Sequence, residues 1–172
     1  MHVRRAIIMM TVLSLGLFLC GCGMFEGYEA GAVLQVVSNP GTTVTVTVDS
    51  VSGNELNLTL RNYPRKGVGE QSLDVIVTSV KVQLVDLEGT AYPVVTYPGN
   101  MRISPNGEAD ITLFGVVPFA IIEAIQADPG TLDVFGNFRA DMVITAKEVD
   151  INGNFGDSLS VSDSAAVVVL FE

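Results

Sequence analysis

The sequence predicts an all-β domain of seven or eight short strands folded as a two-sheet sandwich. One short helix falls around residues 119–127, and an export segment stands in front. Three observations lead there. Apolar and polar residues alternate with a period of two over most of the chain beyond residue 31. Turn-forming clusters (Asn-Pro-Gly, Gly-Asn, Glu-Gly, Pro-Asn-Gly and Asn-Gly) punctuate those runs at short intervals. There is no strand–helix–strand rhythm and no internal repeat, which disfavours a parallel α/β sheet.

The export segment comes first in the chain. Arg4 and Arg5 precede an apolar stretch from Ala6 to Leu19 that only Thr11, Ser14 and Gly16 interrupt. Its length fits the ~7–15 residues of a signal-peptide core and falls short of the ~20 that a spanning helix needs. It runs directly into Leu19-Cys20-Gly21-Cys22, which resembles the bacterial lipobox: an aliphatic residue, a spacer and a small residue ahead of the lipidated Cys. Leu19 and Gly21 take those places for Cys22, whereas lipidation at Cys20 would put Leu19 in the small-residue slot. The resemblance implies a thioether-linked diacylglycerol on Cys22, usually with an added N-acyl chain. Two or more such chains hold a protein stably at a membrane, at about 0.8 kcal/mol per buried CH₂. Gly23 stands where an Asp would favour inner-membrane retention, so the implied location is the bacterial cell envelope, with the outer membrane favoured. The expected organisation is a signal peptide over 1–21, the lipidated Cys and a tether over 22–31, and a sandwich domain over 32–172.

Charge and rare residues narrow the chemistry. The chain holds 9 Lys+Arg against 19 Asp+Glu, a formal charge of −10; loss of 1–21 removes Arg4 and Arg5 but no acid, giving −12. That sign repels phosphate backbones, so nucleic acid is not an expected partner. The single His is His2, and the two Cys are Cys20 and Cys22. A Ser/His/Asp triad, a Cys/His nucleophile, a His-ligated zinc and a structural disulfide are therefore excluded from the folded part. Carboxylate pairs such as Asp86/Glu88 fall in a turn, where both are solvated rather than held in opposed environments. The expectation is a protein that is not an enzyme and carries no cofactor.

Each element follows from local pattern. Val33–Ser38 is a first strand, closed by Asn39-Pro40-Gly41. Thr42–Val51 alternates, with Val44, Val46 and Val48 on one face, and Gly53-Asn54 turns it. Leu56, Leu58 and Leu60 alternate with Asn57, Thr59 and Arg61. A polar loop from Tyr63 to Ser72 follows. Asp74–Leu87 is the longest strand candidate, with Ile76, Thr78, Val80, Val82 and Leu84 sharing one face. Tyr92–Thr96 contains Pro93 and is expected at an edge. Pro98-Gly99-Asn100 and Pro105-Asn106-Gly107 read as turns around a short piece at Ile103, and Ala109–Val117 resumes alternation through Ile111 and Leu113. Pro118 and Pro129-Gly130 punctuate a helix over Phe119–Ala127, whose apolar residues include 119, 122 and 125; this stripe is expected to lid a sheet end. Phe138, Ala140, Met142, Ile144 and Ala146 point inward. Asn152-Gly153 suits a type I′ hairpin turn. Ala165–Phe171, apolar on both faces, predicts a central or covered strand.

Phe138–Ile151, the turn Asp150-Ile151-Asn152-Gly153-Asn154 and Ser160–Phe171 resemble the last two strands of bacterial immunoglobulin-like and fibronectin type III-like domains. Leu56–Leu60 and Val75–Leu84 fall where the second and third strands belong. The pattern over residues 42–171 is similar to bacterial envelope lipoproteins that carry such sandwiches. It departs from true immunoglobulin domains in lacking their Trp and Cys pair and in its helical insert. The resemblance implies an antiparallel Greek-key sandwich, a membrane partner through the lipid anchor, and a protein partner in an envelope assembly.

Two candidate binding sites emerge from the residues. Asp150, Asn152, Asn154 and Asp157 place four oxygen-bearing side chains in one turn, as calcium loops do. However, Phe155 replaces the usual Gly, Val161 stands where a Glu would close the loop, and such residues also populate plain hairpin turns. Arg65 and Lys66 concentrate positive charge in an acidic chain and form a candidate patch for an acidic partner.

Overall fold

The computed structural model describes residues 31–64, 73–150 and 152–172. It contains β1 (Ala32–Ser38), β2 (Thr42–Val46), β3 (Val51–Ser52), β4 (Glu55–Pro64), β5 (Asp74–Asp86), β6 (Val95–Ile103) and β7 (Glu108–Phe114). After these come α1 (Phe119–Ala127), a 3₁₀ turn (Pro129–Thr131), α2 (Leu132–Phe135), β8 (Asn137–Val149) and β9 (Phe155–Phe171). A three-stranded sheet runs β1-β4-β7 and a six-stranded sheet runs β3-β2-β9-β8-β5-β6.

The expectation of seven or eight strands in antiparallel sheets is corrected on two counts. Nine strands are described, and β2 lies parallel to β9, which makes the larger sheet a mixed half-barrel rather than one face of a plain immunoglobulin-like sandwich. The cause is the Asn39-Pro40-Gly41 link, which carries the chain from the edge of the small sheet into the large one. Gly41 has φ 74°, and a Cβ there would lie 2.5 Å from the Ala166 carbonyl oxygen, so the crossing passes against the β9 backbone.

Alternation builds the core. Leu56, Leu58 and Leu60 of β4 face Val44 and Val46 of β2, the even-numbered residues from Phe138 to Ala146 of β8, and Val167 and Val169 of β9; all are buried. The helix forms over the residues the punctuation predicts. Ile121, Ile122 and Ile125 are buried and close one end of the core. Phe119, expected in the apolar stripe, is instead 69% exposed, because Pro118 serves as the N-cap and the first turn points away from the sheets.

Three strand expectations are corrected by side-chain and backbone chemistry. The run Thr42–Val51 breaks after Val46, where Thr47 Oγ1 accepts the Ser50 amide at 3.0 Å and turns the chain back into β3, leaving Val48 67% exposed. In β5 a bulge between Val77 and Ser79 inverts the phase, so Val75 and Val77 are buried in place of Ile76 and Thr78. The displaced Thr78 hydroxyl donates to the Thr145 carbonyl. Pro98-Gly99-Asn100 is not a turn but the middle of β6. An edge strand tolerates the missing proline N–H, and Gly99 lets its backbone approach the Val77 carbonyl.

Candidate functional site

The lipobox residues Leu19, Cys20, Gly21 and Cys22 lie outside the described residues, as do Arg65 and Lys66. The Asp150–Asp157 turn is described apart from Ile151. It joins β8 to β9 at the end of the large sheet where β1 begins, since Asp74 pairs with Val149 and Ala32 bonds to Glu148. Asp150 holds the turn together. Its Oδ1 accepts the amides of Asn152 and Asn154, both at 2.8 Å, and its Oδ2 accepts Asn154 Nδ2 at 2.9 Å. Those donors, the Asn154 side chain first, pull the Asp150 carboxyl below its ordinary pKa. Gly153 carries φ 83° and its amide donates to the Asp150 carbonyl. The turn therefore closes from Asp150 to Gly153, so Asn152-Gly153 is not the central pair that a type I′ hairpin turn on those residues needs. Asp150, Asn154 and Asp157 line one open cavity of about 400 Å³ with Leu73, Phe155 and Gly156. Among the described residues no three His, Cys, Asp or Glu side chains gather as a metal site would require.

Two buried polar residues at this end escaped the sequence reading. Glu148 continues the inward phase of β8 beyond Ala146 and is fully buried. Its Oε1 accepts the Ala32 amide at 2.6 Å, pinning the start of β1 to the large sheet, while Oε2 is shielded and has no partner among the described residues. Asn62 continues the phase of Leu56, Leu58 and Leu60. It is fully buried, and its Nδ2 donates to the carbonyls of Ile103 at 3.1 Å and Leu73 at 2.9 Å. It thereby fixes the point where β6 leaves the large sheet to become β7 in the small one.

That crossing opens a second site. The small sheet stops at β7 and the large one continues to β6, so the inner face of β5 and β6 runs out past its cover. A crevice of about 270 Å³ remains between the two edge strands. Val77, Val80, Tyr97 and Met101 form one wall and Ile111 and Leu113 the other. The Tyr97 hydroxyl is shielded from solvent and has no hydrogen-bond partner among the described residues; burial raises its pKa above the ordinary 10. The sequence signal was the edge strand expected at Tyr92–Thr96. Reading Pro98-Gly99 as a turn concealed it.

No family model matches this chain, and no curated protein matches it. Solved structures resemble it loosely. The Northeast Structural Genomics Consortium target SoR45 aligns with a TM-score of 0.42 at 11% identity, over 83% of this chain and 90% of its own. A protein from Archaeoglobus fulgidus aligns with a TM-score of 0.33 at 6% identity, over 81% of this chain and 95% of its own. Neither likeness carries a function to this chain.

Proposed function

We propose that this chain is a lipid-anchored, non-catalytic protein of the bacterial cell envelope, favouring the outer membrane, that acts by binding another protein. Its folded part is an immunoglobulin-like sandwich and serves as a subunit or accessory module of an envelope assembly. The anchor rests on Leu19-Cys20-Gly21-Cys22 directly after the apolar stretch. The fold reading is supported by the split first strand, with β1 on β4 in one sheet and β2 parallel to the last strand in the other. The observation that carries binding is the apolar crevice between two edge strands, where sheet surface and unpaired backbone are offered together. A membrane held at Cys22 would face the Ala32 end of the sandwich, leaving α1 at the far end.

The test is a cross-linked pull-down of full-length, C-terminally tagged protein from its native envelope, with Cys22→Ser as control. One stoichiometric partner that depends on the anchor is expected. A blank, or turnover of a substrate by the purified protein, overturns the reading, and retention of Cys22→Ser in the membrane fraction overturns the anchor.

A second reading is a calcium or small-ligand carrier. It is favoured by the convergence of Asp150, Asn154 and Asp157 on one cavity, although Asp150 already holds three internal donors. Under it, calcium raises the melting temperature and chelator reverses the rise. Indifference to both removes the metal version.

A further inference from the structure

The free edge of β7 has a definite polarity. In the β4–β7 ladder the Asn62 amide donates to the Gly107 carbonyl and the Gly115 amide donates to the Asn54 carbonyl. Antiparallel pairing alternates, so the backbone groups of Ala109, Ile111 and Leu113 point to β4. The N–H and C=O groups of Glu108, Asp110, Thr112 and Phe114 point the other way, toward the crevice side, and have no backbone partner among the described residues. The same four side chains lie on the solvent face, while Ile111 and Leu113 turn inward.

We propose that the crevice is completed by an extended segment of a partner protein that adds to β7 as a fourth strand of the small sheet, with apolar side chains inward and basic side chains outward. This deepens the protein-binding reading above and rests on it. A strand spaced ~4.8 Å from β7 covers the inner face of β6 that the small sheet leaves open. Its inward residues fill the space between Tyr97, Met101 and Ile111. Charge selects its outer face. Glu108 is paired with Arg61 of β4 at 3.2 Å, but Asp110 accepts only the Thr59 hydroxyl and has no cation beside it among the described residues. A Lys or Arg directly opposite Asp110 is the favoured cross-strand neighbour. A second copy of this chain supplies no such cation. Antiparallel self-pairing over the whole of β7 sets Asp110 opposite Thr112 and Glu108 opposite Phe114, in a chain of net charge −10.

The experiment uses the full chain in detergent micelles. The probe is a pool of seven-residue peptides with Val or Ile at odd positions and Lys or Arg at even ones, against a pool with Glu at the even positions. Saturable binding of the basic pool is expected, with slowed amide exchange at Asp110, Thr112 and Phe114. Thr112→Pro, which removes one edge N–H, abolishes it. Asp110→Lys, which leaves the ladder intact, weakens the basic pool about two- to fivefold and strengthens the acidic pool in the same proportion. No binding, binding that leaves those amides unprotected, or a wild-type dimer that Thr112→Pro renders monomeric overturns the proposal. The native-envelope pull-down separates the two readings. A partner captured equally by wild type and Thr112→Pro removes this edge while protein binding stands, whereas no partner from either removes protein binding itself.

Discussion

Asn62 offers the sharpest test of how the two sheets are joined. Its Nδ2 holds the buried Ile103 carbonyl and the partly buried Leu73 carbonyl, while its own amide and carbonyl pair with Gly107 and Asn106. Asn62→Ala removes only the side-chain bonds. Leaving a buried acceptor unpaired costs about 1–3 kcal/mol, and a part-buried hydrogen bond contributes about 0.5–1.5 kcal/mol. The expected loss is therefore about 1.5–4.5 kcal/mol, or about 3–18 °C in Tm for a chain of this size. Asn62→Asp is the diagnostic variant, because it turns carboxylate oxygen toward two carbonyl oxygens. At pH 7 it is expected to lose more than Asn62→Ala. Its folded-state pKa is raised, so stability is greatest below the ordinary aspartate value of about 3.9 and falls as pH rises through the folded value. Urea unfolding of wild type and both variants at pH 3.5 and pH 7 reads this directly. If Asn62→Asp matches wild type at pH 7, or does not recover relative to Asn62→Ala on acidification, the amide does not hold those carbonyls.

Three further outcomes are expected. Ile125→Ala, at a fully buried site beneath the lid helix, loses about 2–5 kcal/mol by urea unfolding, whereas the exposed Phe119→Ala changes stability by less than ~1 kcal/mol. Gly41→Ala combines left-handed backbone strain of about 1–2 kcal/mol with a contact on the Ala166 carbonyl, and is expected to lower Tm more than Gly89→Ala, where the added methyl meets nothing within 4 Å. Asp150 has a depressed pKa, so its contribution is present above about 3.9 and is lost as pH falls through the folded value; Asp150→Ala is less stable than wild type at pH 7, and the gap narrows in acid denaturation.

Much of the fold was legible because simple periods carried it. Leu56, Leu58 and Leu60 and the run from Phe138 to Ala146 kept strict phase, and the helix stood between prolines. The errors came where a single residue changes phase or sheet. The Thr78 bulge adds one position to β5 and reverses every inward assignment before it, and no composition signal marks such an insertion. The parallel pairing of β2 depends on a long-range approach of Gly41 to Ala166, which local pattern does not contain. Glu148 and Asn62 could have been found by extending the inward phase two residues further. Polar identity argued against burial until Ala32 and Ile103 supplied their partners. The crevice was hidden because Pro98-Gly99 reads as a turn unless β6 is known to be an edge.

The parallel register of β2 on β9, five consecutive pairs from Thr42↔Val167 to Val46↔Phe171, also sets the mechanical character of the molecule. The start of one strand and the end of the other lie at opposite ends of this seam. Tension between the two ends of the domain therefore slides the strands past each other and loads the rungs together, whereas a hairpin pulled open yields one rung at a time. A domain pulled between the Gly41 link and its C-terminus would therefore resist through this short seam before the force reached the lid helix.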